Sequence, residues 1–495
     1  MRTRPFLLTL LLLSILPCGL CLRASAPAAP PSVKDPAVID PADYRISKRD
    51  LQRARDLLSA PSPAEPVVFP NPAPGAQWYP SAGLGLFMHW GIHSTRGAQP
   101  SWNMIKGYRY GGTYHSREEY YSWALDWEPD NFCPEKYLRA AKEAGFSYAV
   151  LTTRHHDGYA LWPSRYGIGV KQYMHGRDLV REYVDACRRT GMRVGFYFSP
   201  RDWHYPGDRP LSEFDVQTWG KRGPVEDEAA NRKAFERFFA YVLAQLEELL
   251  TSYGKIDLLW LDGMGWYGIP VQDLCTEKVY AWIRSLQPDI VINDRWENIV
   301  NPDNPSGTGM RIGDFTTPFE CTVPTYTPSP WWEHCHIWTD HGGGWGYNVQ
   351  GEFRPLGWFL RSLVMSRSYG GNFLPNAGPA PSGDMHPNFY KALAEVREWM
   401  AANAESVIAA GPTPGAERSN VPLTTRSGPE GKIWYAHLLE GFKGEVSVRT
   451  DSAPASLTLL RTGEKIPFIF RNGFISFSLP AEKRGAGDDV VKIVL

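Results

Sequence analysis

Along this chain, short unbroken apolar runs alternate with longer stretches in which apolar residues recur every three or four positions. The first pattern reads as buried strand and the second as amphipathic helix. Runs at 84–90, 147–153, 192–199, 256–261, 289–293, about 311–315, 335–339 and 370–374 predict eight strands, the sixth and seventh being the faintest. Helical patterns at 135–144, 177–190, 232–252, 272–286 and 353–367 separate many of them. Gly145, Gly191 and Gly254 stand at the first three helix–strand junctions, where a left-handed residue most readily ends a helix. Eight strands alternating with helices over 81–408 predict a (β/α)8-like TIM barrel, with a doubly wound sheet as the alternative. No glycine-rich dinucleotide or phosphate loop follows the first strand, which runs instead into Phe87-Met88-His89-Trp90-Gly91.

The pattern changes near Gly411. Short β-like runs follow at 432–438, 444–449, 456–460, 466–470 and 473–479, with Asn472-Gly473 as a hairpin turn, and predict a small C-terminal β-sandwich over 409–495. Before the barrel, residues 27–80 form an Ala- and Pro-rich arm with a short helical stretch near Ser47 to Leu58. Residues 1–26 read as a signal peptide: Arg2 and Arg4, an apolar stretch from Phe6 to about Leu22, then Ala24-Ser25-Ala26. That stretch is short for a membrane span and contains Pro17 and Gly19, so the expectation is export to the periplasm or exterior without stable membrane insertion. Cys18 and Cys21 raise a lipid anchor, but neither has the small preceding residues such processing wants.

Composition narrows the function. With 43% hydrophobic and 13% aromatic residues in 495, the chain is not a solvated polymer. A formal charge of -1 offers no field for nucleic acid or anionic lipid. Nineteen Trp and twenty-four Tyr suit the apolar faces of sugars, though they also pack cores. Beyond the leader remain Cys133, Cys187, Cys275, Cys321 and Cys335, too few and odd for a disulfide framework; Cys321 and Cys335, bracketing a Pro-rich loop, are the first pair to expect.

Polar residues gather at the C-terminal ends of the expected strands, which in a barrel converge on one mouth. Asp262 follows the run Ile256 to Leu261 and precedes Gly263; its local alternative is a helix cap. His89 and Trp90 end strand one, Arg154-His155-His156-Asp157-Gly158 strand two, and Tyr197, Ser199 and Asp202-Trp203 strand three. Asn293-Asp294-Arg295-Trp296 ends strand five, while Asp314 and Glu320 follow strand six. Imidazole, guanidinium and carboxylate give directional hydrogen bonds and Trp a stacking face, a set suited to a small polyhydroxylated ring. Two carboxylates then point to glycoside hydrolysis, one stabilising or attacking the anomeric carbon and one protonating the leaving oxygen. A metal reading rests on His155 and His156 and on Glu333-His334-Cys335-His336 with Asp340-His341. Against it, there is no His-Glu-x-x-His helix, and consecutive histidines in a strand point to opposite faces. No metal and no cofactor is therefore expected.

Gly85-Leu86-Phe87-Met88-His89-Trp90-Gly91, Leu151-Thr152-Thr153-Arg154-His155-His156-Asp157-Gly158-Tyr159 and Trp260-Leu261-Asp262-Gly263 resemble the alpha-L-fucosidases of glycoside hydrolase family 29. Asn293-Asp294-Arg295-Trp296, Trp345-Gly346-Tyr347-Asn348 and Gly370 to Pro379 extend the resemblance across the barrel. It implies a retaining exo-hydrolase that removes terminal alpha-L-fucose from glycans through a fucosyl-enzyme intermediate. It assigns Asp262 as nucleophile and His89, His155, His156, Trp260 and Arg295 to the sugar, with Tyr197 and Trp345 as further members. The family's Glu-Trp-Tyr segment appears as Ser101-Trp102-Asn103, so Trp102 keeps the ring contact while a carboxylate is missing. For the acid/base the resemblance implies Glu320, with Glu333 as the alternative. The missing carboxylate keeps open a same-fold glycosidase for a related galacto-configured sugar. A non-catalytic glycan-binding protein is the reading from a different class, and Asp262 argues against it.

Overall fold

A computed structural model describes residues 34–61, 67–106, 112–206, 228–264, 274–297, 312–340, 344–412, 418–429 and 431–495. The leader at 1–26, with Cys18 and Cys21, and His341 lie outside the described residues.

Eight parallel strands form one curled sheet: β1 Gly85–Met88, β2 Tyr148–Arg154, β3 Arg193–Phe198, β4 Leu258–Leu261, β5 Val291–Ile292, β6 Thr316–Glu320, β7 Trp332–Ile337 and β8 Asn372–Asn376. Their order is β5-β4-β3-β2-β1-β8-β7-β6, so the ring runs continuously through β1 and β8. Between β5 and β6, among the described residues, a single parallel bridge from Asn293 to Phe315 carries the sheet across. This is the TIM-barrel architecture, followed by antiparallel sheets at the C-terminus.

The two-residue period of a strand sorts its side chains. Phe87, Val150, Tyr197, Leu258, Trp260, Val291 and Leu374 pack with one another in the barrel interior. Their neighbours Leu86, Met88, Leu151, Phe196, Leu259, Ile292 and Phe373 join the larger core beneath the helices. Both faces are therefore buried, which is why these strands read as unbroken apolar runs. Helix Leu179–Thr190 shows how one repeat is bounded: Asp178 accepts from the Arg181 N–H at its start, and Gly191, with φ 69°, ends it. Only a residue without a side-chain penalty sits easily there.

The sixth strand departs from the sequence reading. It covers Thr316–Glu320 rather than 311–315, and this moves Asp314 from the C-terminal end of the strand to its N-terminal foot. There Asp314 accepts from the Asn71 N–H at 2.7 Å, the Ile292 N–H at 2.8 Å and Arg284 Nη2 at 2.5 Å. It is a structural brace rather than a mouth residue. Glu320 becomes the last residue of β6. The expected Cys321–Cys335 disulfide is not formed, and the chain leaves the ladder at Cys321 with φ 57°.

The C-terminal region forms a six-stranded and a three-stranded antiparallel sheet. Trp434, Leu438 and Val491 of the first pack with Val446, Val448, Ile475 and Phe477 of the second. The strand Asp488–Val494 lies centrally, between Gly431–Leu439 and Ser456–Leu459, and is absent from the sequence expectation, as is Leu423–Gly428. The Asn472-Gly473 hairpin is present, both residues having positive φ.

Arg367, 1% exposed, joins the two regions. Its guanidinium donates to the carbonyls of Gly371, Val407, Pro80 and Ala410 and to Asn372 Oδ1. Among the described residues no helix is long and apolar enough to cross a membrane.

Candidate active site

Strand alternation turns Trp260 of β4 into the barrel, and Asp262, two residues on, follows on the same face. Asp262 is 9% exposed. Its Oδ2 accepts from the Tyr197 hydroxyl at 2.9 Å, and its Oδ1 from Arg295 Nε at 3.2 Å, with Arg295 Nη2 at 3.1 Å. The same guanidinium donates through Nη1 to Glu320 Oε2 at 2.8 Å and rests 4.6 Å above the Trp260 ring. One cation thus holds two carboxylates brought by β4 and β6. The backbone at Gly263, φ 96°, bends back so that its N–H reaches the Arg295 carbonyl and its own carbonyl accepts from Arg201 Nε at 3.1 Å.

Burial pushes the Asp262 carboxyl above its ordinary value; Arg295 opposes this, Glu320 adds to it, and the Tyr197 and Arg201 contacts oppose it again. For Arg295, burial alone would weaken the cation, but Asp262 and Glu320 lift it well above the usual range, so it stays charged.

A histidine wall faces this group. His89 Nδ1 pairs with Asn376 Oδ1 at 2.7 Å, and Asn376 Nδ2 donates to the Trp345 carbonyl at 2.8 Å, which ties His89 to the ring 5.1 Å away. His155 stacks on Tyr197 with centroids 5.4 Å apart and 7° between planes, its Nδ1 2.7 Å from Ser101 Oγ. His156 pairs with Ser199 Oγ at 2.6 Å, and its Nε2 lies 3.9 Å from Asp262 Oδ2. Trp102 meets His156 edge-on at 5.2 Å and Trp203 at 5.3 Å.

The two adjacent histidines do not diverge. Their rings lie 4.2 Å apart and both border the site, because β2 ends at Arg154 and the alternation rule no longer applies. Burial lowers His89 to about 4, with Asn376 and Glu320 opposing. It also lowers His155 and His156 well below their ordinary value, reinforced by neighbouring histidines for the first and by Arg201 and Arg295 for the second. At neutral pH all three are uncharged rings able to donate at one nitrogen and accept at the other.

The structure therefore brings together Asp262, Arg295, Glu320, Tyr197, Trp260, His89, His155, His156, Trp102 and Trp345. Glu333 reaches Trp260 instead of Asp262. It is fully buried on β7, accepting from Trp260 Nε1 at 3.0 Å, Tyr148 Oη at 2.5 Å and Tyr79 Oη at 3.4 Å. Burial raises it to about 7, against the three hydrogen bonds. Ser101, where a carboxylate was missing, spends its hydroxyl on His155 and on the Asp157 N–H at 2.9 Å. Asn103 turns its Oδ1 to the Gln99 N–H within the same loop.

Sequence reasoning overlooked Arg201 and the pairing of Asn376 with His89. Arg201 sits between two residues already singled out, Ser199 and Asp202, and its position past β3 was the available signal. Asp202 itself is a buried partner of Tyr241, at 2.6 Å, and of Arg154, at 3.8 Å. Among the described residues, no group of three or more His, Cys, Asp or Glu side chains is arranged to hold a metal ion.

The alpha-L-fucosidase family profile matches residues 70–405, a span holding every barrel strand. Tissue alpha-L-fucosidase of Bos taurus is 29% identical over 398 residues, 76% of this chain and 77% of that one. The structure of alpha-L-fucosidase isoenzyme 1 from Paenibacillus thiaminolyticus superposes with a TM-score of 0.67 at 28% identity, covering 85% of this chain and 99% of its own. A glycoside hydrolase family 29 alpha-L-fucosidase from Bacteroides thetaiotaomicron, trapped as a covalent intermediate with 2-fluoro-fucosyl fluoride, shares the fold at a TM-score of 0.70 and 24% identity. That match covers 87% of this chain and 98% of the other.

Proposed function

Because this chain belongs to the alpha-L-fucosidase family, we propose that it hydrolyses terminal alpha-L-fucose from glycans by a retaining, two-step displacement. The observation that carries the reading is the Arg295 guanidinium shared by Asp262 and Glu320. A retaining pair needs its carboxyl groups roughly 5 to 5.5 Å apart, and one side chain reaching both fits that closeness.

In the first step Asp262 attacks the anomeric carbon while Glu320, protonated, gives its proton to the departing glycosidic oxygen. The aglycone leaves as an alcohol and the sugar remains as an ester of Asp262. In the second step Glu320, now a carboxylate, takes a proton from water, whose oxygen displaces Asp262 and releases fucose. The Tyr197 and Arg295 donors stabilise Asp262 as the leaving carboxylate, and Arg295 stays charged throughout. His89, His155 and His156, uncharged, suit sugar hydroxyls, and Trp102 and Trp345 offer ring surface to the carbon skeleton, with Trp260 supporting Arg295 and Tyr197 beneath it. Ser101 in place of a carboxylate favours one second reading, a related galacto-configured sugar in the same pocket.

The test is hydrolysis of aryl glycosides. The wild type should release L-fucose from an aryl alpha-L-fucoside faster than it cleaves galacto-configured analogues, and Asp262→Ala should lower the rate at least about 10⁴-fold without unfolding the protein. Azide should restore turnover to Glu320→Ala with a retained glycosyl azide as product. Turnover by Asp262→Ala at the wild-type rate, or no activity on any fucoside, defeats the reading. We also propose that the protein is exported. The support is Arg2 and Arg4 ahead of the apolar stretch ending near Ala24-Ser25-Ala26, and N-terminal sequencing of secreted material tests it.

A further inference from the structure

The two-step scheme leaves one buried carboxyl of the barrel interior unused. Glu333 has no exposed surface and collects three donors from three separate segments: Trp260 on β4, Tyr148 on β2 and Tyr79 in the turn before β1. Two of these partners are phenols that can donate or accept, but the third is an indole N–H, which can only donate. Buried in the barrel, that N–H is satisfied by Glu333 Oε1.

Trp260 is the residue on which the site rests. Its ring stacks on Tyr197 with centroids 5.5 Å apart and 23° between planes, and it lies 4.6 Å beneath the Arg295 guanidinium. Tyr197 and Arg295 both donate to Asp262, and Arg295 also holds Glu320. A turn of the indole would therefore move both side chains and the link between the carboxylates. Packing against Phe87 at 5.4 Å confines the ring without fixing which edge faces inward; a directional hydrogen bond does that.

We infer that Glu333 is a positioning residue of the hydrolytic site, orienting the Trp260 indole and through it Tyr197, Arg295 and the two reacting carboxylates. This rests on the assignment of Asp262 and Glu320 given above. Glu333 keeps an acceptor oxygen for Trp260 in either protonation state, so an amide of the same shape should serve in its place.

The experiment compares Glu333→Gln with Glu333→Leu, by kinetics on aryl fucosides of good and poor leaving group, with and without azide, and by crystal structures of both. Glu333→Gln should stay within a few-fold of the wild type. Glu333→Leu should lose about 100-fold in kcat, as a displacement near 1 Å of the reacting groups can cause, with KM changing far less. The loss should be equal for both leaving groups and immune to azide, and the crystal structure should show the indole turned and Arg295 off Asp262. An undisturbed Trp260 in Glu333→Leu, azide rescue of that variant, or a Glu333→Gln as impaired as Glu333→Leu would overturn the inference. Should Glu333→Leu not fold, Glu333→Gln decides alone: a displaced indole or a 100-fold lower kcat rejects the role. An inactive wild type defeats the fucosidase reading, while the indole position in the variant structures still decides this one.

Discussion

In the reaction proposed for it, Asp262 depends on neighbours supplied by separate strands. Burial favours its neutral acid, whereas Arg295, Tyr197 and Arg201 favour the anion that must attack. The acid limb of kcat/KM should therefore lie above the ordinary 3.8 of an aspartic acid. Removing the Tyr197 hydroxyl takes away a donor to the anion, so Tyr197→Phe should move that limb to higher pH. A pH–rate profile with the limb unmoved would separate Tyr197 from the nucleophile. At this scale much was legible in the sequence: Asp262, His89, Arg295 and Trp260 each end or follow a strand, and strand ends converge. Partnerships were less so. That Ser101 sits on His155, or that Arg201 braces Gly263, depends on loop paths that no periodicity encodes.

Among the elements, β1 to β4 and β8 were readable because both their faces are buried and their sequences are accordingly apolar. β6 was not. Thr316-Thr317-Pro318 opens it with polar side chains and a residue lacking an N–H, the composition that argues against a strand, and its burial alternates. The five-residue displacement that followed put Asp314 at the wrong end of the strand. The central C-terminal strand was hidden for a related reason: it begins with Asp488-Asp489, which looks like loop. Inside the fold these acids are matched, Asp489 by Arg461 and Arg484 and Asp488 by His437 at 2.8 Å. Both members of the last pair are fully enclosed, and His437 Nε2 also meets Thr424 Oγ1 at 2.9 Å. Removing one partner of a buried hydrogen bond leaves the other unsatisfied, so Asp488→Ala should lower stability by about 2 kcal/mol in urea unfolding. A loss below about 1 kcal/mol would mean that the pair is not a structural anchor.

At the level of the whole molecule, the barrel is a ring with one weak joint. Backbone ladders run from β5 around to β6, but those two are joined among the described residues by the isolated Asn293–Phe315 bridge, with the Asp314 N–H donating to the Ile292 carbonyl at 2.7 Å, rather than by a ladder. Charge closes what the ladder leaves open. Arg295 reaches Glu320 across the top of the joint, and Arg284 reaches Asp314 at its foot. Deuterium uptake should accordingly be faster at Asn293 and Phe315 than along β2 and Val194 to Phe198 of β3, although all of these are buried. Equal protection around the ring would count against the joint. The same geometry makes the pair proposed to react part of the fastening. A sugar bound between Asp262 and Glu320, as proposed, would span the joint like a clasp on a split hoop, so occupancy of the pocket should be felt as slowed exchange on the far side of β5 and β6, where no sugar atom reaches.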